Sequence, residues 1–420
     1  MPAAAAQYWT QGMQELSLAF GLGLIATFTF VLALRPFAAL SGLVDRPGGR
    51  KVHSGDVPVV GGLAMALGFL CAISVAGPVS ADRWMFVGAL FLLGITGALD
   101  DRFDLPAVIR IVVQTAAGLV MVFGAGVIAS DLGEAYGNVV IGFGDLAIPI
   151  TLVAVLIAVN AFNLFDGSDG IAGVQAFVGL LFLGIACAAQ GVGQDLPVIT
   201  ALAGSVVGFL FFNWPAERTR RLRTFMGDAG STMLGFALAW WSIKLSQGPE
   251  RTISPGVVLW VFALPLFDLF SSVIRRLSCG RSPFAADSDH LHHVLRRRGV
   301  SSRRLAQLVI VVSSVLAAIG LGAHLLGASS GQLIVGWIVL GIAYYLALGR
   351  GLAIGECRTV PTGSTNVVLL PPRNAHRLVL SDSHSASRES PQPMPHVPAG
   401  DSAALERDAE VYDRKIKALR

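Results

Sequence analysis

Eleven apolar runs of roughly membrane-spanning length dominate this chain, near residues 16–34, 59–80, 84–99, 108–129, 146–165, 171–190, 196–214, 230–246, 255–274, 305–326 and 331–349. A hydrocarbon core of about 30 Å takes roughly 17–25 apolar residues of helix to cross. A chain with this many such runs folds as an all-α polytopic membrane protein. Composition agrees: 54% of the 420 residues are hydrophobic and 14% charged, with a mean hydropathy of +0.66, whereas soluble domains carry about a quarter charged residues. A disordered chain, a secreted disulfide scaffold and an ordinary cytosolic enzyme are thereby excluded.

The placement of charge orients the runs. Loops 35–58, 100–110, 213–230 and 275–305, with the turn 160–170 between them, hold eighteen Lys and Arg, while the opposite loops and the N-terminus hold only Arg83 and Arg251. Positive residues stay on the cytoplasmic side, so the expected N-terminus is periplasmic and the C-terminus cytoplasmic. The first run is not expected to be a cleavable signal, because no Lys or Arg precedes Arg35. The expected location is the bacterial inner membrane, with residues 1–349 as the transmembrane domain. Residues 350–420 differ: Ser, Pro, His and charges dominate 380–400, the composition of a disordered linker. Leu405, Ala409, Tyr412, Ile416 and Leu419 then follow a 4-3-4-3 spacing. Two heptads are too short to be stable alone, so this seam reads either as a homodimer contact or as a frayed surface helix.

Ionisable groups beside membrane helices are costly and mark function by default. Five clusters occur, all on the side just assigned to the cytoplasm. GLVDRPGGRKVHSGDVPVVGG (42–62) gathers Asp45, Arg46, Arg50, Lys51 and His53; alone it reads equally as a basic loop for anionic headgroups. LDDRFDL (99–105) crowds Asp100, Asp101 and Asp104 at a helix C-terminus, where mutual repulsion and the helix dipole are both unfavourable. Mg²⁺, Arg102, Arg110 or a shared proton must compensate. NAFNLFDGSDG (160–170) spaces Asn160, Asn163 and Asp166 along one side of a helix end, with Gly167 expected to terminate it and Asp169 in the turn. FMGDAGST (225–232) places Asp228 at a helix start whose free N–H groups suit phosphate oxygens or a plain cap. RRLSCGRSPFAADSDHLHHVLRRR (275–298) offers Arg275, Arg276 and Arg281 for phosphate contact. In it, His290 and His293 are expected on one helix face and His292 elsewhere. The HxHH run lacks a fourth ligand at zinc spacing.

Several Asp and Asn residues, a glycine turn and an Arg/His loop meeting at one membrane surface point to Mg²⁺- or Mn²⁺-dependent phosphoryl transfer. No Walker loop or G-x-G-x-x-G fingerprint is present. The longest internal loop on this side, about 30 residues, is no longer than one βαβ unit, so the loops themselves must hold any nucleotide. A site at the bilayer surface makes a lipid the natural co-substrate. A transporter or flippase would place its site near the midplane, and a lipid-binding scaffold would not need the Asp/Asn sites. No nucleic-acid partner is expected.

GLVDRPGGRKVH, LDDRFDL, NAFNLFDGSDG, FMGDAGST and SPFAADSDHLHH, in this order, resemble the polyprenyl-phosphate N-acetylhexosamine-1-phosphate transferases over residues 16–349. Within that family the resemblance is to the undecaprenyl-phosphate α-N-acetylglucosaminyl 1-phosphate branch. The sister branch, phospho-MurNAc-pentapeptide transferase, carries a longer histidine-rich segment where this chain has HLHH, which argues against a muramyl substrate. The resemblance implies transfer of N-acetylglucosamine 1-phosphate from UDP-GlcNAc to undecaprenyl phosphate with release of UMP, initiating O-antigen or another surface polysaccharide. It implies Asp228 and Asn163 as Mg²⁺ ligands and Asp100 and Asp101 at the lipid phosphate, one of them accepting its proton. Asp166 and Asp169 are implied toward the uridine. Arg276 and the HLHH residues His290, His292 and His293, His290 above all, are implied on the pyrophosphate and sugar. Arg110 is implied as a guide for phosphate, and Asp45, Lys51, His53 and Asn160 as further substrate contacts. The motifs do not distinguish GlcNAc from GalNAc, QuiNAc or FucNAc.

Overall fold

A computed structural model describes residues 3–46, 55–74, 80–136, 139–189, 195–216, 221–249, 251–282 and 290–351. Arg50, Lys51, His53 and the seam from Leu405 to Leu419 lie outside them, and the described residues belong to one compact unit within Met1–Cys357. The unit is helical. In chain order its helices are α1 (Ala3–Leu34), α2 (Ala38–Ser41), α3 (Gly61–Ile73), α4 (Ala81–Phe103), α5 (Ala107–Leu119), α6 (Ala147–Phe165) and α7 (Ile171–Ala189). There follow α8 (Leu196–Asn213), α9 (Gly227–Ser246), α10 (Pro255–Val261), α11 (Ala263–Ser278), α12 (Leu291–Arg297), α13 (Ser302–Leu325) and α14 (Ser330–Gly351). Two small antiparallel pairs accompany them, β1 (Val44–Asp45) with β2 (Val57–Pro58) and β3 (Asp131–Tyr136) with β4 (Val139–Gly142).

Among the described residues, eight helices are long and apolar enough to cross a membrane, or nine if the bent pair α10–α11 counts as one span. Two runs expected as spans fall outside that number. The run at 59–80 forms α3, whose 13 helical residues extend only roughly 20 Å. The run at 230–246 lies in α9, whose Gly, Ser and Thr residues lower its hydropathy. The reason is position. α9 packs against α3, α4, α6, α7 and α10 and is buried almost all round, so its side chains meet protein rather than lipid. Trp240, Trp241 and Phe236 on α9 join Phe69 and Phe86 among the largest fully buried side chains.

The run at 255–274 is also not one straight helix: α10 and α11 meet at an 80° bend. Pro265 has no N–H to return to the Val261 carbonyl four residues back. That buried carbonyl instead accepts a 3.0 Å bond from Gln175 Nε2 on α7.

α4 and α9 run side by side in opposite directions and are pinned at both ends. A Cβ at Gly97 of α4 would overlap the Ala229 backbone, so glycine is what lets the two backbones touch near the N-terminus of α9. At the far end Lys244 Nζ of α9 lies 2.8 Å from Asp82 of α4 and 2.9 Å from Asp195, which precedes α8. Lys244→Met would leave two neighbouring carboxylates uncompensated and should cost about 1–3 kcal/mol. A lowered melting temperature in detergent, partly restored by adding Asp195→Asn, checks this.

Candidate active site

The two aspartates ending α4 are fully engaged, each with a different partner. Asp100 is buried; its Oδ1 accepts the Leu105 N–H (2.7 Å) and its Oδ2 lies 3.1 Å from Arg110 Nη1 on α5. Asp101 accepts the N–H groups of Asp228 (2.9 Å) and Ala229 (3.3 Å). Two of the α9 donors expected to be free for phosphate are therefore taken by Asp101, whose charge complements the positive end of the α9 dipole. Asp104, the one described non-glycine residue with positive φ (51°), ends α4 in the left-handed conformation. Within this acidic cluster Arg110 pairs with Asp100 and the start of α9 with Asp101.

Asp228 follows Gly227 in the first turn of α9 and accepts a 2.7 Å bond from Asn163 Nδ2 near the end of α6. The same amide donates to Ser231 Oγ at 3.0 Å, and Arg110 lies 3.9 Å from the other Asp228 oxygen. Asn160, one turn earlier, donates to Gln114 Oε1 on α5. Asp166 caps α6. Burial, then the charges of Asp101 and Asp169, pushes its carboxyl up to about 7. Asp169 forms an ion pair with Arg223 at 2.6 Å. Asn213, at the end of α8, holds this turn by accepting the Gly170 N–H (2.8 Å) and donating to the Thr224 carbonyl (2.9 Å).

Gly167, expected as the helix terminator, is not among the glycines with positive φ. Its reason is steric: a Cβ there would overlap the His292 ring. His290 precedes α12 rather than sharing a face with His293, and it is not on the cavity. It is 4% exposed, with Nδ1 3.0 Å from Asp268 Oδ2. Arg276 is buried and likewise absent from the cavity lining. The ring that reaches the site turn is His292. Burial, then the neighbouring His293, lowers its imidazole to about 3, so it is neutral near pH 7.

These elements enclose a cavity of about 1370 Å³ that brings together Asp45, Asp101, Asn163, Asp166, Asp169 and Asp228 with His292 and His293. Asp45 reaches it because β2 continues the pairing: the Pro58 carbonyl accepts the Phe225 N–H just before α9. A second, narrow cleft holds Asp100, Arg110 and Asn160 beside Leu93 and Val113. The two share Asn163 and Asp228. On the large cavity, Ser168 Oγ and His292 Nδ1 are buried without a hydrogen-bond partner among the described residues, as expected of groups awaiting a ligand. Arg102, Arg223 and Arg296 also line this cavity, beyond the residues that the motifs point to. Arg223 belongs to the charge-rich loop 213–230, but its pairing with Asp169 spans 54 positions and has no local signature.

The profile of Glycosyl transferase family 4 matches residues 83–246, a stretch that carries Asp101, Asn163, Asp166, Asp169 and Asp228. Three similar curated proteins, all named undecaprenyl-phosphate alpha-N-acetylglucosaminyl 1-phosphate transferase, extend the match. That of Yersinia pestis is 35% identical over 294 residues, covering 70% of this chain and 80% of the relative. That of Escherichia coli strain K12 is 34% identical over 310 residues, 73% and 84% of the two chains. That of Haemophilus influenzae is 31% identical over 324 residues, 77% and 91%. The chain belongs to glycosyl transferase family 4. It is a multi-pass membrane enzyme of the phospho-sugar transferase type.

Two outcomes follow from the His292 contact. Gly167→Ala should displace the ring and lower turnover by about 10²-fold while the protein remains monodisperse on gel filtration. A histidine held neutral in the fold binds fewer protons than the unfolded chain between about pH 3 and the ordinary value of 6.5. Its contribution to stability is therefore present above that window and falls as the pH drops through it. Amide exchange across α12, corrected for intrinsic rates, should accelerate from pH 7 to pH 5, and His292→Gln should blunt the change.

Proposed function

We propose that this protein transfers N-acetylglucosamine 1-phosphate from UDP-GlcNAc to undecaprenyl phosphate, giving undecaprenyl-pyrophosphoryl-GlcNAc and UMP. It does so at the cytoplasmic face of the bacterial inner membrane and initiates O-antigen or another surface polysaccharide. In this reading the chain crosses eleven times, with its N-terminus in the periplasm. The observation that carries the proposal is the meeting of two unlike clefts at Asn163 and Asp228. The larger is polar and exceeds the roughly 300–1,000 Å³ of ordinary small-molecule sites, which suits a sugar nucleotide. The narrow one, about 20 Å³, has room for a water rather than a phosphate. It sets Arg110, held by Asp100 and beside Leu93 and Val113, 3.9 Å from Asp228, where a lipid phosphate at the shared edge would meet the guanidinium.

The donor set fits Mg²⁺, or Mn²⁺. Asp228 offers a hard carboxylate oxygen, and Asn163, whose amide nitrogen here donates to Asp228, would turn its amide oxygen to a bound ion; Mg²⁺ usually takes one or two carboxylates. The remaining positions on the ion would be filled by substrate phosphates and water. Bound there, the ion supplies neutralisation of the two phosphates and of leaving UMP.

The chain's own residues do the rest. Arg110, held by Asp100, orients the lipid phosphate, while Asp101 keeps Asp228 in place by fixing the start of α9. Asp166, and Asp169 with Arg223, face the uridine. His292, His293 and Arg296 face the pyrophosphate and sugar, with His292 acting as a neutral hydrogen-bonding group. Asp45, with Lys51 and His53 further along its loop, completes the substrate contacts. A lipid phosphate is mostly dianionic near neutral pH and needs no strong base. It attacks the β-phosphorus directly, forming the new P–O–P link as the bond to UMP breaks, without a covalent enzyme intermediate. The rate then comes from positioning and electrostatics.

The test is conversion of labelled UDP-GlcNAc and undecaprenyl phosphate by purified protein in detergent. Label should enter the lipid with equimolar UMP, and EDTA should stop it. Asp228→Ala should lower turnover at least about 10²-fold, with Asp45→Asn milder. Preferential labelling from UDP-GalNAc would move the sugar assignment, and lack of transfer from any UDP-sugar would overturn the reaction.

A further inference from the structure

We propose that Asp268 is a positioning residue for the sugar-nucleotide side of the site, acting through His290 and α12 rather than by touching substrate. This rests on the reading that the large cavity takes the sugar nucleotide.

Asp268 is a carboxylate 2% exposed within an otherwise apolar stretch of α11, where a lone charge is costly unless paired and hydrogen-bonded. All its described partners lie outside the cavity. Its Oδ1 accepts the Leu291 N–H at 2.7 Å, and its Oδ2 lies 3.0 Å from His290 Nδ1. The Tyr344 hydroxyl of α14 approaches at 3.5 Å. Ser272, one turn along α11, stands 3.2 Å from the same histidine nitrogen. One carboxylate thus satisfies the first N–H of α12 and fixes the ring that precedes it.

α12 cannot hold its shape alone. Its seven residues form fewer than two turns, well below the length at which isolated helices persist. Yet it sets His292 against Gly167 and sends His293, Arg296 and Arg297 to the cavity. The anchor is therefore remote from the chemistry but controls where one wall of the cavity stands. The bend at Pro265 belongs to the same device, because it aims the helix that carries Asp268. The lipid-side cleft, built from α4, α5, α6 and α9, has no residue of α11 or α12 in its lining. A loss at Asp268 should consequently fall on one substrate only.

The experiment compares wild-type protein, Asp268→Ala and Asp268→Asn in detergent, measuring KM for UDP-GlcNAc and for undecaprenyl phosphate separately. Asp268→Ala should raise the first at least about tenfold and leave the second within about twofold. Asp268→Asn keeps an acceptor for Leu291 N–H and can donate to the other tautomer of His290, so it should recover most of the loss. Equal effects on both substrates, or no rescue by Asn in a protein of wild-type melting temperature, would overturn the proposal. Calorimetric binding of UDP-GlcNAc and hydrogen exchange over 291–297 separate the two readings. If wild type binds no UDP-GlcNAc, the functional reading fails. If wild type binds but Asp268→Ala binds as tightly, with α12 equally protected, the positioning role fails.

Discussion

The site is organised by one carboxylate at one helix terminus. Asp101, at the end of α4, occupies the first N–H groups of α9 and so joins two antiparallel helices at their most polar point. A helix start in a largely apolar bundle leaves unsatisfied donors, and a carboxylate at a helix C-terminus meets an unfavourable dipole. Each defect answers the other. Once this contact is made, Asp228 is held beside Asn163, Asp100 is left to Arg110, and Gly97 lets the backbones close. The Lys244 cluster performs the matching task at the opposite end of the same helix pair.

α9 is the axis around which this works. A helix that touches protein on nearly every side has no need of a lipid-facing surface, and its Gly, Ser and Thr residues allow neighbours to approach closely. The same residues make it look marginal as a span. The bend between α10 and α11 follows a similar logic: Pro265 releases a carbonyl, a buried glutamine from another helix takes it up, and α11 is redirected. Polar side chains inside this bundle mostly serve its own backbone, while many of those at one end line the large cavity.

Residues grouped locally around helix ends are legible in the amino-acid sequence. Asn163, Asp166, Asp169 and Asp228 sit in short motifs with more polar groups than helix capping needs, and all four reach one cavity. Asp268 obeys the same rule, a lone charge inside an apolar run, but no cluster around it singles it out. His292 rather than His290 joins His293 on the cavity, because α12 begins only at Leu291 and helical spacing does not extend through His290. Gly167 has the spacing of a terminator, and the contact that explains it, with His292, lies 125 positions away.

The class of fold, the number of apolar runs, the family and most of the acidic residues lining the large cavity can be read from the order of amino acids alone. Those follow from composition, periodicity and short motifs, which depend only on near neighbours in the chain. Tertiary structure decided which carboxylates are engaged and which face open space. It also decided which histidine reaches the turn, where Arg223 and Asp268 find their partners, and which helix is sheltered from lipid. These depend on contacts between residues far apart in sequence, and on backbone donors and acceptors that no residue letter records.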